Sequence, residues 1–212
     1  MNYYYKYLKY RQKYEFLKNK IEGKNLNMIV VKGKDKIRDL IIIPNLINDH
    51  ECNIIKNTNQ FAGSKEINDR HDKLKFNHKV WRIEKSQSNW QSLYDKILNT
   101  MKLVDKKFWN KLSDKKYYPE VEYILYNVEE GKPLPSIEPH VDNKSLITMV
   151  LMLSSKDQYA GGNSYFEGKD KPRKIKLNKG DAVFFRGERT EHWISNVEKG
   201  TRDILQIELS RR

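Results

Sequence analysis

Apolar positions in the first 24 residues recur in steps of four and three: Tyr3, Tyr7, Tyr10, Tyr14, Leu17 and Ile21. That spacing predicts a helix with one aromatic-aliphatic seam, stopped at Gly23. Leu40-Ile41-Ile42-Ile43 reads as a short buried strand closed by Pro44. Asn48, with Glu51 three residues on, predicts a capping box opening a helix that buries Ile54 and Ile55. Residues 57–78 are polar and irregular and predict a loop, followed by a short strand from Val80 to Ile83. Helical spacing returns with Leu93, Ile97, Met101, Val104 and Phe108, predicting a helix over 90–112.

From Tyr117 the period shortens to two. Val121, Tyr123 and Leu125 alternate with Glu122, Ile124 and Tyr126. Further strands are predicted at 145–154, 163–166, 173–177, 182–185, 191–194 and 203–209, separated by turns rich in Gly, Asn and Lys. Many short strands after a helical start predict an α+β chain whose C-terminal part is a sandwich or jelly roll, with the helices packed on one face. The expected division is a basic amphipathic helix over 1–24 and one domain over 25–212.

Composition narrows the function classes. Of 212 residues, 38% are apolar, enough for a sizeable core. The net charge of +13 comes from 31 Lys and 10 Arg, in a chain that also holds 19 Asn and 19 Ile. An AT-rich genome encodes such a composition, so the charge by itself is weak evidence for nucleic acid. Residues 1–24 carry seven Lys or Arg and two Glu, which suits a docking helix or an anchor for a membrane surface, nucleic acid or an acidic partner. One cysteine, Cys52, excludes an intramolecular disulfide and cysteine-based zinc sites. The longest apolar run, Met149 to Leu153, is far short of a membrane span, and the start has no apolar signal core. A soluble, intracellular protein in a reducing compartment is expected.

The candidate chemistry lies in His140-Val141-Asp142 and in His192, after a gap of 49 residues. On a strand, residues i and i+2 share a face, so His140 and Asp142 are expected to project together. Two imidazoles and one carboxylate suit Fe(II) and leave adjacent positions for a 2-oxo acid and dioxygen. Arg202 follows across a Lys199-Gly200 turn, which places it on the next strand pointing inward. A buried guanidinium needs an anion, and the distal carboxylate of 2-oxoglutarate would answer it with a bidentate pair.

The stretches PHVDN, LITMVLMLS, YAGGNSYF, LNKGDAVFF and RTEHWISNVEKGTRDIL resemble the catalytic domain of the prolyl 4-hydroxylase and procollagen lysyl hydroxylase branch of Fe(II)/2-oxoglutarate dioxygenases. DLIIIPNLINDHECNII is similar to the strand and helix that open that domain. The resemblance implies a double-stranded β-helix (jelly roll) with supporting N-terminal helices. It implies His140, Asp142 and His192 as iron ligands and Arg202 as the partner of the distal carboxylate of 2-oxoglutarate. Thr148 is expected to share that carboxylate, and Tyr126 to contact the cosubstrate. Hydroxylation of a protein residue, prolyl first and lysyl second, follows, with dioxygen as oxidant, ascorbate as reductant and a collagen-like or proline-rich partner. Asn163 and Glu208 depart from the pattern on the substrate side.

Two other readings use the same residues. A nucleic-acid demethylase of the AlkB type shares the triad, but Glu208 stands where that family has a second arginine. A non-catalytic binding or virion protein could also use the fold; the start YYYKYLKYRQKYEFLKNK resembles a Tyr/Lys-rich segment common on proteins of large DNA viruses. His71, Asp72 and His78 are expected on a solvated loop, His50 exposed, Trp81, Trp90 and Trp109 in the core, and Cys52 buried and inert. Trp193 is expected to face outward beside its ligand neighbour.

Overall fold

The computed structural model describes residues 26–61, 65–66, 78–83, 90–113 and 115–212. The expected helix over 1–24 lies outside the described residues, as do His71 and Asp72. In chain order the strands are β1 (Ile29–Val31), β2 (Leu40–Ile43), β3 (Lys65–Glu66), β4 (Lys79–Arg82), β5 (Tyr117–Asn127), β6 (Ile137–His140) and β7 (Ser145–Met152). They continue with β8 (Tyr159–Gly161), β9 (Ser164–Phe166), β10 (Arg173–Ile175), β11 (Ala182–Phe185), β12 (His192–Ile194) and β13 (Val197–Arg211). The helices are α1 (Asp49–Phe61) and α2 (Gln91–Phe108).

Two antiparallel sheets face each other as a jelly roll. The larger runs β1-β2-β11-β7-β13-β5-β4-β3, with β8 attached to β13; the smaller runs β10-β9-β12-β6. The larger sheet is covered on both faces, which is why β7 is apolar without alternation. Its odd positions Ile147, Met149 and Leu151 join Ile97, Met101 and Val104 of α2 in one core. Its even positions Val150 and Met152 join Phe166, Ile175 and Ile194 in a second core between the sheets. β5 and β13 divide the same way: Val121, Tyr123, Leu205 and Ile207 lie on the helix side, and Ile124, Tyr126 and Ile204 on the inter-sheet side.

The capping box forms as the sequence predicts. The Asn48 side-chain oxygen accepts from the Glu51 N–H, and the Glu51 carboxylate accepts from the Asn48 N–H, each at 2.9 Å. Asn48→Ala is expected to cost ~1 kcal/mol, read as a lower urea midpoint with an unchanged slope. Helix α1 runs to Phe61, several residues into the expected loop. Trp90 and Cys52 are fully buried and Trp109 nearly so, while Trp81 is partly buried against the core. Burial pushes the Cys52 thiol up to about 11, which keeps it protonated and unreactive.

One expected turn is absent. Lys199-Gly200 lies inside β13, where Lys199 pairs with Ala160 and Gly200 with Tyr159. Gly200 has φ +75°, and a Cβ there would sit 2.1 Å from the Gln158 carbonyl oxygen. The glycine serves a kink in a continuous strand; the chain leaves β12 through Ser195 and Asn196 instead. Arg202 is still carried to the inter-sheet side. Among the described residues, no helix is long and apolar enough to cross a membrane.

Candidate metal centre

β6 and β12 pair so that His140 and His192 stand directly opposite, with ring centroids 4.3 Å apart. The His192 ring is held by two aromatic neighbours, stacked on Phe166 at 5.8 Å and edge-on to Phe185 at 4.7 Å. β6 ends at His140, so strand alternation is not what brings Asp142 to the same place. Asp142 sits in the loop that follows. Its N–H donates to the Gly187 carbonyl, and its own carbonyl accepts from the Ser145 N–H, both at 3.1 Å. The loop turns the carboxylate inward: Asp142 Oδ1 lies 3.5 Å from His140 Nε2 and 3.6 Å from His192 Nε2. The three ligand atoms all fall within 4.8 Å of one another.

Hydrogen bonding fixes what these atoms offer. His140 Nδ1 lies 2.8 Å from the Glu138 carbonyl and His192 Nδ1 3.1 Å from the Thr190 carbonyl. A carbonyl only accepts, so each Nδ1 carries a proton and each ring turns its Nε2 toward Asp142. With both rings neutral, two lone pairs and a carboxylate point at one spot, an arrangement that a cation stabilises. Burial disfavours ionisation of Asp142 most strongly, but His192, His140 and the Thr148 hydroxyl outweigh it and hold the carboxyl well below the usual carboxylate range. Burial opposes charge on both imidazoles. At His192 it prevails and lowers the pKa; at His140 the hydrogen bond to Asp142 and its charge raise it. The donor set and its orientation fit a divalent metal ion.

Thr148 is not where the resemblance implied. Its hydroxyl donates to Asp142 Oδ2 at 2.6 Å and lies 2.8 Å from Ser145 Oγ. It pairs with Glu208, six positions along β13 from Arg202, or roughly 20 Å at ~3.3 Å per residue. Thr148 therefore cannot share a carboxylate with Arg202, and it orients Asp142 instead. The hydroxyl that does meet Arg202 belongs to Ser164, which accepts from Nη2 at 3.0 Å. No local signal marks Ser164; only the pairing of β9 in the smaller sheet brings it across.

Arg202 is fully buried, and its Nε and Nη1 have no hydrogen-bond partner among the described residues. Its guanidinium lies 5.2 Å from the ring centroid of Tyr126, its partner in the β13–β5 register. Burial pushes the Tyr126 hydroxyl up to about 12, so it stays a donor. Tyr126 and Ser164 line a cavity of about 310 Å³ between the sheets, together with the triad, Ile124, Val150, Phe166, Val183 and Ile204. His78, expected on a solvated loop, also lines it: the ring is partly buried 4.8 Å from Tyr126, and Nδ1 is 3.3 Å from the Ser136 carbonyl. No local signal marks His78, because its contact with Tyr126 crosses from the residue before β4 to β5.

Neither a protein-family model nor a curated protein sequence matches the chain. Solved structures do. A viral collagen prolyl hydroxylase from Paramecium bursaria Chlorella virus-1, in complex with 2-oxoglutarate, superposes with a TM-score of 0.59 at 18% identity, over 82% of this chain and 96% of that one. A prolyl hydroxylase from Trichoplax adhaerens, bound to a peptide of hypoxia inducible factor, gives 0.63 at 13% identity over 81% and 83%. The α-ketoglutarate-dependent epimerase SnoN of nogalamycin biosynthesis gives 0.63 at 10% identity over 82% and 80%. The fold is that of the 2-oxoglutarate/Fe(II) oxygenases. Within that oxygenase fold, hydroxylases and an epimerase superpose on this chain about equally well, so the likeness carries the architecture and not a substrate.

Proposed function

We propose that the protein is an Fe(II)- and 2-oxoglutarate-dependent dioxygenase that hydroxylates a protein residue, prolyl first and lysyl second, with ascorbate as reductant. The observation that carries this reading is the pairing of an inward-facing His140-Asp142-His192 triad with a fully buried guanidinium whose Nε and Nη1 lack partners among the described residues. A buried charge left uncompensated costs several kcal/mol, so an anion belongs beside it. Arg202 would grip the distal carboxylate of 2-oxoglutarate, with the Ser164 and Tyr126 hydroxyls as further donors. His140, Asp142 and His192 would hold the iron, and Thr148 keeps the Asp142 carboxylate turned toward it. Bound Fe(II) supplies oxidative decarboxylation of 2-oxoglutarate to succinate and CO₂, coupled to insertion of one atom of dioxygen into a C–H bond. Ile124, Val150, Val183, Phe166 and Ile204 give the cavity an apolar wall that would limit water beside the reacting groups.

The test is succinate formation by the purified chain with Fe(II), 2-oxoglutarate and collagen-like or proline-rich peptides, alongside a one-oxygen mass gain on the peptide. Mass gain on nucleosides or free amino acids with none on any peptide would overturn the protein-substrate reading. The reaction is assigned to 25–212, with 1–24 as an accessory; a chain lacking 1–24 is expected to keep its succinate formation.

Gly162 supports the same site. It adopts φ +56°, and a Cβ there would come within 2.9 Å of Arg202 Cδ and 2.8 Å of Val197 Cγ2. Gly162→Ala is expected to push the arginine stem aside and raise the 2-oxoglutarate half-saturation about tenfold, ~1.4 kcal/mol. The control is Gly161→Ala, whose Cβ would meet the Asn196 carbonyl and Glu198 instead. It should lower stability without that change.

A further inference from the structure

Besides Arg202, one other arginine is buried among the described residues, and the chemistry above does not use it. Arg186 follows β11 and opens the single turn Gly187–Arg189, which leads from the larger sheet to β12 of the smaller one. Its Nε donates to the Leu146 carbonyl of β7 at 2.7 Å, and its Nη2 to the Glu188 carboxylate at 2.8 Å. Glu188 also accepts from Arg211, the last residue of β13, at 2.7 Å. The Arg186 carbonyl closes the turn by accepting from the Arg189 and Thr190 N–H groups at 3.0 and 2.9 Å. A guanidinium holds two acceptors in a fixed planar fork, so the turn is tied to two strands of the larger sheet.

The two ends of this turn reach two different residues of the triad. At one end the Gly187 carbonyl accepts from the Asp142 N–H at 3.1 Å. At the other the Thr190 carbonyl lies 3.1 Å from His192 Nδ1. Between them Gly187 lies against the hydroxyl pair behind Asp142. Thr148 gives its one proton to Asp142, so Ser145 must donate to Thr148. A Cβ at Gly187 would sit 2.3 Å from Thr148 Oγ1 and 2.7 Å from Ser145 Oγ. Both hydroxyl residues are fully buried on β7, which is held between β11 and β13, so the turn and not the strand would have to yield.

We propose that Arg186 and Gly187 are positioning residues, and that the turn they build is a clamp fixing Asp142 relative to His192. Asp142 sits in a loop and His192 on a strand of three residues, in connections that cross between the sheets. Neither local element sets the distance between them; the turn bonded to both does. The proposal rests on the metal-centre reading and adds to it two residues that supply no ligand atom yet set how well the ligands converge.

The test reads metal binding, not turnover. The full chain, freed of metal, is titrated with Co(II), and both the affinity and the absorption bands of the saturated protein are measured. Gly187→Ala is expected to weaken cobalt binding about 10–100-fold. Arg186→Lys keeps the charge but loses the fork, and should weaken it about tenfold. Both should shift the visible bands, because Asp142 and His192 would meet the ion at altered angles. Asn48→Ala, which lowers stability at the α1 cap, should leave affinity and bands as they are. If Gly187→Ala does not fold, Arg186→Lys decides. Turn variants that bind cobalt as tightly as wild type, with the same bands, would overturn the clamp alone. An equal loss in Asn48→Ala would overturn it too, by tracing the effect to stability. A wild-type chain that takes up no cobalt would defeat the metal-centre reading, and the clamp with it.

Discussion

Alanine at His140 or His192 is expected to bring iron-dependent 2-oxoglutarate turnover to background and to remove the stoichiometric metal. Each imidazole turns its Nε2 toward the Asp142 carboxylate, at 3.5 and 3.6 Å, and the backbone carbonyls of Glu138 and Thr190 hold a proton on each Nδ1. Deleting either ring leaves two donors, too few to hold Fe(II) against water. Cobalt(II) absorption of the folded variants reads the metal loss directly, without reference to activity. Wild-type succinate formation by either variant would sink the assignment. Thr148→Val sharpens the experiment. If the hydroxyl orients Asp142, metal affinity should fall 10–100-fold while the 2-oxoglutarate half-saturation stays put. The opposite pattern, intact metal affinity with a raised cosubstrate requirement, would restore the role that the family resemblance implied for Thr148.

Thr148 also shows where the sequence stops being informative. His140, Asp142, His192 and Arg202 could be picked out because their chemistry is rare in an apolar strand setting and their order along the chain is distinctive. A threonine in LITMVLMLS carries no such mark. What it touches depends on which strand lies beside it, and β7 pairs with β11 and β13, partners more than thirty residues away. Ser164 and His78 escaped for the same reason, since each reaches the cavity through a non-local strand pairing. The Lys199-Gly200 dipeptide erred the other way: a glycine after a lysine looks locally like a reversal, yet pairing with β8 draws it into β13. The fold itself was legible because it follows from local rules. The capping box at Asn48, the helical spacing from Leu93 to Phe108 and the period of two after Tyr117 each appear as the corresponding element. Asp142 is an intermediate case. The structure brings it beside both histidines, but from a loop and not by the strand geometry that was expected.

Arg202→Met is expected to give two effects of opposite sign. Without cosubstrate, the wild-type guanidinium is fully buried, two of its nitrogens lack partners among the described residues, and it contacts the Ser164 hydroxyl and the Tyr126 ring. Replacing an uncompensated buried charge with an apolar side chain of similar length is neutral or stabilising, by up to a few kcal/mol. The variant should therefore melt at or above the wild-type temperature. The 2-oxoglutarate half-saturation should move the other way. A desolvated carboxylate that loses its guanidinium loses about 3–5 kcal/mol, which is roughly 10²–10⁴-fold in affinity. Linkage gives a readout that needs no turnover: saturating 2-oxoglutarate should raise the melting temperature of the wild-type chain and leave that of Arg202→Met unchanged. A polar replacement separates charge from volume, since Arg202→Gln keeps a donor in the pocket and should fall between the two in cosubstrate affinity. If Arg202→Met melted several degrees lower and still gained stability from 2-oxoglutarate, the guanidinium would be a structural element and the distal carboxylate would have to lie elsewhere in the cavity.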